Sequence, residues 1–378
     1  MNISKPSICR ICGEGLLLTH TLPNYPLCSG PVSPKDMLCK VENVSIGYCQ
    51  KCDLCATISP EHGQIDYSDN YTTSVTDGKR KTLLSFIDSH FGSSIKKVLD
   101  VGCYDGQIAG RMKRQHKWDV QGCDPCEWAV NRAREKYGIE VKQAEFSKEL
   151  YQGQRFDLVT ASNVLEHVEN PDTFLKDVLS ILKPKGSVIL VVPDGIKRIR
   201  EGILGSIVPE HFWYFGIESL SRLLCKVGFG AVEVVADNGT LMVLASLTGT
   251  TMDETTSKEV SIPNYKHGIA RLGILHQLVW DDKKIILYGA NTCALELLAS
   301  KTIDQRKVVC AIDDDHYKWG KALVNTDIIV HPRDYVKEIQ GTFIICSYYS
   351  QDELSSFVQC IALQPYKIVT LYPPKVQT

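Results

Sequence analysis

Val98-Leu-Asp-Val-Gly-Cys-Tyr-Asp-Gly106 sets a short apolar run directly before a turn that holds acidic residues and two glycines. The run reads as a buried strand, and the glycines mark a place where a ligand approaches the backbone closely. In an open parallel sheet the carboxyl end of the first strand opens onto the ligand crevice. A dinucleotide fold prefers Gly-x-Gly-x-x-Gly there, so that a pyrophosphate rests on the helix amino terminus, whereas here Tyr104 and Asp105 fill the middle of the turn. Negative charge at that point suits a cationic ligand. Asp124 follows at the end of the next predicted strand, placed to accept both ribose hydroxyl protons.

Working outward, Leu83 to about Ser246 alternates short β-branched runs with amphipathic helical stretches. The runs are Lys97-Val-Leu-Asp-Val, Asp119-Val-Gln-Gly-Cys, Phe156-Asp-Leu-Val-Thr and Ser187-Val-Ile-Leu-Val-Val. That alternation predicts an α/β fold with a mainly parallel sheet and helices on both faces. The polar stretch from Thr248 to Glu259 reads as a linker. Past Pro263 a helical segment through Gln277 leads into a second, smaller α/β series: Lys284-Ile-Ile-Leu-Tyr, Lys307-Val-Val-Cys-Ala-Ile, Asp327-Ile-Ile-Val, Thr342-Phe-Ile-Ile-Cys and Lys367-Ile-Val-Thr-Leu. The expected domains are an amino-terminal module over 1–75, a Rossmann-like domain over 76–247 and a carboxy-terminal Rossmann-like α/β domain over 264–378. The last has a glycine turn at Gly289 and an acidic run, Asp313-Asp-Asp315. One glycine is too little to define a second cofactor site, and this domain is expected to pack over the acceptor cleft.

The amino-terminal module reads as separate and loop-rich, because Pro23, Pro26, Pro31 and Pro34 interrupt every candidate helix. Seven of the chain's 15 cysteines fall in it. The first residues lack a basic start, apolar stretch and cleavage site, so a cytoplasmic location with reduced thiols is expected. Cys9-Arg-Ile-Cys12 and Cys49-Gln-Lys-Cys52 form two knuckles whose four thiolates would close a tetrahedron around structural zinc, with Cys28, Cys39 or Cys55 able to replace one ligand. Such a closed set serves folding, since no position stays open for substrate. Cys123 and Cys126 stand alone and read as packing residues.

Lys+Arg number 42 against 44 Asp+Glu, so no general positive charge draws the chain onto nucleic acid or anionic lipid. The longest apolar run, around Ser187–Val192, is too short for a membrane span. The oligomeric state is left open.

Glu210-His-Phe-Trp-Tyr-Phe-Gly216 places an acid and a base beside four aromatics, in a region where loops carry the substrate. Neutral imidazole is the side chain best suited to general-base work near pH 7, and a neighbouring carboxylate orients it. The plainer alternative is a histidine that caps a helix among aromatics that simply pack.

These residues resemble the class I S-adenosylmethionine-dependent methyltransferases. The likeness lies in Leu99-Asp-Val-Gly-Cys-x-x-Gly106, Asp124, Phe156-Asp-Leu-Val-Thr-Ala-Ser-Asn-Val-Leu-Glu-His-Val and Leu182-Lys-Pro-Lys-Gly-Ser-Val-Ile-Leu. The resemblance implies that Asp100, Gly102 and Gly106 surround the methionyl part of S-adenosylmethionine, Asp124 the ribose and Ala144, Glu145 and Phe146 the adenine, with Asn163 also at the cofactor. With the knuckles, the Glu-His pair and the carboxy-terminal unit, the chain resembles the zinc-containing sugar C-methyltransferases, which act on nucleotide-linked ketosugars in deoxysugar biosynthesis. That resemblance implies catalytic roles for Glu210, His211 and His167, and for Tyr71 in Asp66-Tyr-Ser-Asp-Asn-Tyr-Thr-Thr-Ser74. His211 would be the general base that removes a proton from carbon next to a ketone. Val208, and Tyr288-Gly-Ala-Asn-Thr-Cys, depart from that family's pattern. The alternatives are an O- or N-methyltransferase of another small metabolite, with His211 assisting a hydroxyl or amine, and a non-catalytic methyltransferase-like scaffold.

Overall fold

The computed structural model describes residues 8–27, 32–33, 39–58, 77–91, 97–237, 239–247, 268–272, 282–348, 350–363 and 365–372. Chain contacts divide it into two compact units. The first takes Met1–Leu18, Gly47–Lys197 and His211–Ser261; the second takes Thr19–Ile46, Arg198–Glu210 and Ile262–Thr378.

The amino-terminal segment is richer in strands than its prolines suggest: β1 (Leu17–Pro26), β2 (Val32–Ser33), β3 (Val41–Cys49) and β4 (Leu54–Thr57). Pro23 and Pro26 sit in β1, an edge strand, where a missing backbone N–H costs no ladder bond. Nor is the cysteine segment free-standing. Cys9, Cys49, Cys52, Leu54 and Ala56 share one buried apolar cluster with Leu165, Leu190, Phe212 and Trp213.

That cluster belongs to a seven-stranded sheet made of β5 (Lys97–Val101), β6 (Asp119–Asp124), β7 (Glu140–Gln143), β8 (Phe156–Ser162), β9 (Leu182–Pro193), β11 (Ala231–Asp237) and β12 (Thr240–Ser246), in the order β11-β12-β9-β8-β5-β6-β7. β7, β6, β5, β8 and β9 run parallel, while β12 pairs antiparallel with both β9 and β11. The central strands are apolar almost without interruption because both faces are covered: Val98, Leu99, Leu158, Val159, Val188 and Ile189 have no exposed surface. The helices are α1 (Asp77–His90), α2 (Gln107–His116), α3 (Glu127–Tyr137), α4 (Pro171–Ile181), α5 (Gly195–Arg200) and α6 (Ile217–Val227). In α3 the small residues Ala129 and Ala133 face inward, and in α6 Leu220, Leu223 and Leu224 form the buried stripe. The strand order reverses beside β5, which puts the crevice of the sheet at that strand's carboxyl end.

The second unit holds a five-stranded parallel sheet of β13 (Ile285–Tyr288), β14 (Val308–Ile312), β16 (Val330–His331), β17 (Thr342–Ile345) and β18 (Lys367–Thr370), ordered β16-β14-β13-β17-β18, with helices α7 (Thr292–Ala299) and α8 (Gln351–Ile361). β2 pairs with the short β15 (Ala322–Leu323). The run Asp327-Ile-Ile-Val yields only the two-residue β16, because Ile328 and Ile329 turn back on Leu323 and Ala322 instead. After β13, the Ala290 amide donates to Asp313 Oδ2 at 2.8 Å, and Lys318 Nζ meets the same oxygen at 3.0 Å. The acidic run is thereby tied to its own turn. The linker from Thr248 to Glu259 lies outside the described residues, as does all of the predicted helix before Gln277 except 268–272.

Candidate functional site

The turn after β5 is held by backbone geometry that few side chains permit. Gly102 and Gly106 have φ of +65° and +74°. A Cβ on Gly102 would stand 2.4 Å from Val164 Cγ2, and one on Gly106 would stand 2.7 Å from Ala133 Cβ. Glycine is therefore required at both positions by conformation and by space. Tyr104 between them also has positive φ, and its amide donates to Asp124 Oδ2 at 2.8 Å, while the Cys126 amide donates to Asp124 Oδ1 at 2.9 Å. Each carboxylate oxygen keeps a second lone pair for a ligand hydroxyl. Burial raises the Asp124 carboxyl, against those two amides that lower it.

Asp100 sits deeper. Thr160 Oγ1 donates to its Oδ1 at 2.7 Å, and burial, partly offset by that bond and reinforced by Asp124, pushes the carboxyl up to about 7. The charge expected at the turn is partly answered within the protein: Asp105 accepts from Gln107 Nε2 at 2.9 Å and lies 3.7 Å from Arg132 Nε. Ala144 donates its amide to the Asp124 carbonyl at 3.1 Å, which places it beside that residue at the next strand end. Glu145 is exposed, and Phe146 packs edge-on to Phe174 with ring centroids 5.3 Å apart. Asn163, at φ +54°, follows β8 and donates its amide to the Val191 carbonyl at 2.8 Å. Asp100, Gly102, Asp124, Ala144 and Asn163 thus all lie at the carboxyl ends of parallel strands.

A second constellation forms beyond β8. His167 and His211 meet edge to face, with centroids 4.7 Å apart and planes at 85°. Glu166, 1% exposed, joins them: one ligand atom from each of the three side chains lies within 4.8 Å of the other two. The Glu166 Oε1–His167 Nε2 distance is 4.0 Å. The sequence singles out Glu210 as the carboxylate beside His211; the structure brings a further carboxylate, Glu166, to both imidazoles. Its only sequence signal is its place before His167, directly after a strand. Glu210 is itself buried, and Tyr71 lies outside the described residues.

Long-range pairing holds this group together. The Phe212 amide donates to the Glu166 carbonyl at 2.8 Å and Trp213 Nε1 donates to the Val168 carbonyl at 3.0 Å. Trp213 and Tyr214 form β10, antiparallel to β4 in the register Trp213↔Ala56 and Tyr214↔Cys55, and Tyr214 OH lies 3.0 Å from Thr57 Oγ1. The aromatics of this segment are therefore packing residues, Phe212, Trp213, Tyr214 and Phe215 all being buried.

β4 leads back to the knuckles. Sγ atoms of Cys9, Cys12, Cys49 and Cys52 lie within 4.8 Å of one another, with Cys12 to Cys49 at 3.6 Å. Four thiolates around one ion at ~2.3 Å stand roughly 3.8 Å apart, so the set fits a tetrahedral metal with little movement. The Ile11 amide points at Cys9 Sγ from 3.4 Å. Burial pushes Cys49 up to about 12 and Cys52 upward as well. Of the alternatives, Cys55 is in β4 outside this group, Cys39 has its backbone clasped by Asn325, and Cys28 lies outside the described residues.

A family model described as a methyltransferase domain matches residues 76–234. Residues 76–234 are a class I S-adenosylmethionine-dependent methyltransferase domain. Its cofactor is S-adenosylmethionine. Curated relatives include the ubiquinone biosynthesis O-methyltransferase of Acinetobacter baylyi, 36% identical over 152 residues, which covers 38% of this chain and 59% of that protein. The enzyme of that description from Azoarcus is 37% identical, covering 28% of this chain and 47% of its own length. The one from Idiomarina loihiensis is 29% identical, covering 48% and 78%. The chain thus spans about half the length of the first two relatives. A solved structure of a methyltransferase described as putative and S-adenosylmethionine-dependent, from Listeria monocytogenes, is 16% identical and covers 46% of this chain and all of that one, at a TM-score of 0.38.

These relatives overturn one expectation. They are O-methyltransferases, which contradicts carbon methylation of a nucleotide-linked ketosugar and removes the support for a place in deoxysugar biosynthesis. The motifs behind the methyltransferase resemblance describe how this cofactor is held; they say little about the acceptor atom. Among the described residues, no helix is long and apolar enough to cross a membrane.

Proposed function

We propose that the protein transfers a methyl group from S-adenosylmethionine to a hydroxyl oxygen of a small-molecule acceptor. The observation that carries this reading is the gathering of Glu166, His167 and His211 beyond β8, the strand paired beside the one that ends in the glycine turn, together with the O-methyltransferase identity of the relatives. When bound, S-adenosylmethionine supplies an electrophilic methyl on a positively charged sulfur. The chain's residues do the rest. Asp124, fixed by two backbone amides, accepts from the ribose hydroxyls. Gly102 and Gly106 shape the turn around the methionyl part with Asp100 behind it; Ala144, Glu145 and Phe146 flank the adenine, and Asn163 lies at the cofactor's edge. The acceptor hydroxyl is a poor nucleophile while it keeps its proton, and the cluster of His211, His167 and Glu166 lowers the cost of losing it. Glu210, the buried neighbour of His211 in the chain, keeps the acid role that the sequence gives it. Holding oxygen and methyl in line supplies much of the rate through orientation.

Structural zinc in Cys9, Cys12, Cys49 and Cys52 belongs to the same proposal, supported by the sulfur separations. The zinc-bound knuckle fixes β4, and β4 fixes the strand behind His211. The domain limits 1–75, 76–247 and 264–378 complete it. Mass spectrometry of hydroxylated acceptors incubated with trideuteromethyl cofactor tests the reading: the acceptor gains the labelled methyl, and its deoxy analogue does not. Equal labelling of both would remove it.

A further inference from the structure

We propose that Glu166, His167 and His211 are the ligands of a divalent cation that binds the acceptor oxygen. This rests on the O-methyl reading above and deepens it. The donor set is one carboxylate and two imidazoles, a mixed oxygen and nitrogen environment that suits Mn²⁺ or Zn²⁺ and leaves coordination positions open for a substrate. Ligand atoms of all three side chains already lie within 4.8 Å of one another. Bonds of ~2.0–2.2 Å need only modest side-chain closure from there.

Ring orientation agrees with this. Stacked imidazoles hold their nitrogen lone pairs in separate parallel planes, whereas the 85° angle between His167 and His211 lets one nitrogen of each aim at a common point. The ligands are held by the scaffold: the Phe212 amide on the Glu166 carbonyl locks the two backbone segments together, and the β10–β4 pairing fixes the second. A cation between them would also lie against the deeply buried Glu166 carboxylate, whose charge it would pair. The four-thiolate knuckle is a different kind of site, soft and closed, so two ions would sort by ligand chemistry.

The cation would do for the acceptor hydroxyl what zinc does for bound water, which it acidifies until the proton is lost near pH 7. The acceptor O–H bond breaks and its proton goes to solvent as the oxygen binds the cation. The O–CH₃ bond then forms as the C–S bond breaks, the electron pair stays on sulfur, and a neutral thioether and a neutral ether result. The acceptor class is one with an acidic hydroxyl, phenolic or enolic, able to reach the open position. His211 is then a ligand rather than a base.

The test uses the full-length protein with its knuckle zinc left in place and Mn²⁺ alone as the probe, since thiolates bind it poorly. Free Mn²⁺ is read by electron paramagnetic resonance during titration. One Mn²⁺ should bind per chain, and His211→Asn and Glu166→Gln should each lose it. His211→Asn should keep the wild-type circular dichroism and cofactor affinity, so that loss of metal is not loss of fold. No bound Mn²⁺, or unchanged binding by His211→Asn, would overturn the proposal, as would hydroxyl methylation that proceeds unaltered in chelator. Mn²⁺ bound at this cluster in a protein that methylates no hydroxyl would support the site and sink the O-methyl reading instead.

Discussion

The imidazole of His211 meets that of His167 edge to face, 4.7 Å between centroids, although two helices, α4 and α5, and the longest strand of the sheet separate the two in sequence. Phe212 N–H to the Glu166 carbonyl, Trp213 Nε1 to the Val168 carbonyl and two residues of strand pairing between β10 and β4 help to bring them together. The cofactor turn lies at the end of β5 and this pair follows β8, the strand hydrogen-bonded beside it. On the proposed reading, cofactor binding and methyl transfer therefore respond to different substitutions.

Replacing His211 by Asn keeps a polar side chain of similar reach but removes the imidazole. Turnover should fall by roughly 10²–10⁴-fold, the range for a positioned group that activates a proton. Cofactor affinity measured by calorimetry should stay within error. A variant that turns over normally would mean that this cluster is not at the reaction centre.

Asp124→Ala should act the other way. Hydrogen bonds to a charged acceptor contribute about 1.5–3 kcal/mol each, so losing the carboxylate should weaken cofactor binding at least about tenfold. The Tyr104 and Cys126 amides also lose their acceptor, which loosens the turn. Calorimetry showing wild-type affinity would exclude Asp124 from the ribose site.

The paired change Cys9→Ser and Cys12→Ser should release one zinc and lower the melting temperature, because metal-binding energy in such a knuckle is folding energy. It should also cut turnover more than cofactor affinity, since Cys52 leads directly into the β4 strand that holds Trp213 and Tyr214. Retained zinc with an unaltered melt would show that other residues bind the metal.

Asp100 gives a pH dependence with a definite sign. Its carboxyl is raised from 3.8 to about 7 in the fold, mainly by burial. The native state therefore holds a proton that the unfolded chain has released, and this contribution, fully present below about pH 4, is lost as pH rises through about 7. Asp100→Asn should flatten that part of the stability curve, measured as the denaturant midpoint between pH 4.5 and 8. Parallel curves for the two proteins would mean that Asp100 is ionised throughout.

Most of the cofactor domain was legible because its central strands are buried on both faces and so read as unbroken apolar runs, and because Gly102 and Gly106 have no substitute in their turn. β7, β11 and β12 were harder to see: β7 and β11 are edge strands whose exposed positions dilute the pattern. The strands of the cysteine segment were hidden by prolines that an edge strand tolerates. Glu166 was missed for another reason. Its proximity to His211 depends on a two-residue strand, and no local periodicity announces a pairing that short. The acceptor was misjudged because neighbouring acid and base residues fit carbon and oxygen chemistry equally well.

The atom that receives the transferred methyl can be read directly. The protein is incubated with S-adenosylmethionine carrying a ¹³C methyl and a panel of phenolic and enolic acceptors, and the product is read by NMR. A labelled methyl on oxygen is expected, with no label in acceptors whose hydroxyl is already blocked. A labelled methyl bonded to carbon or nitrogen would contradict it.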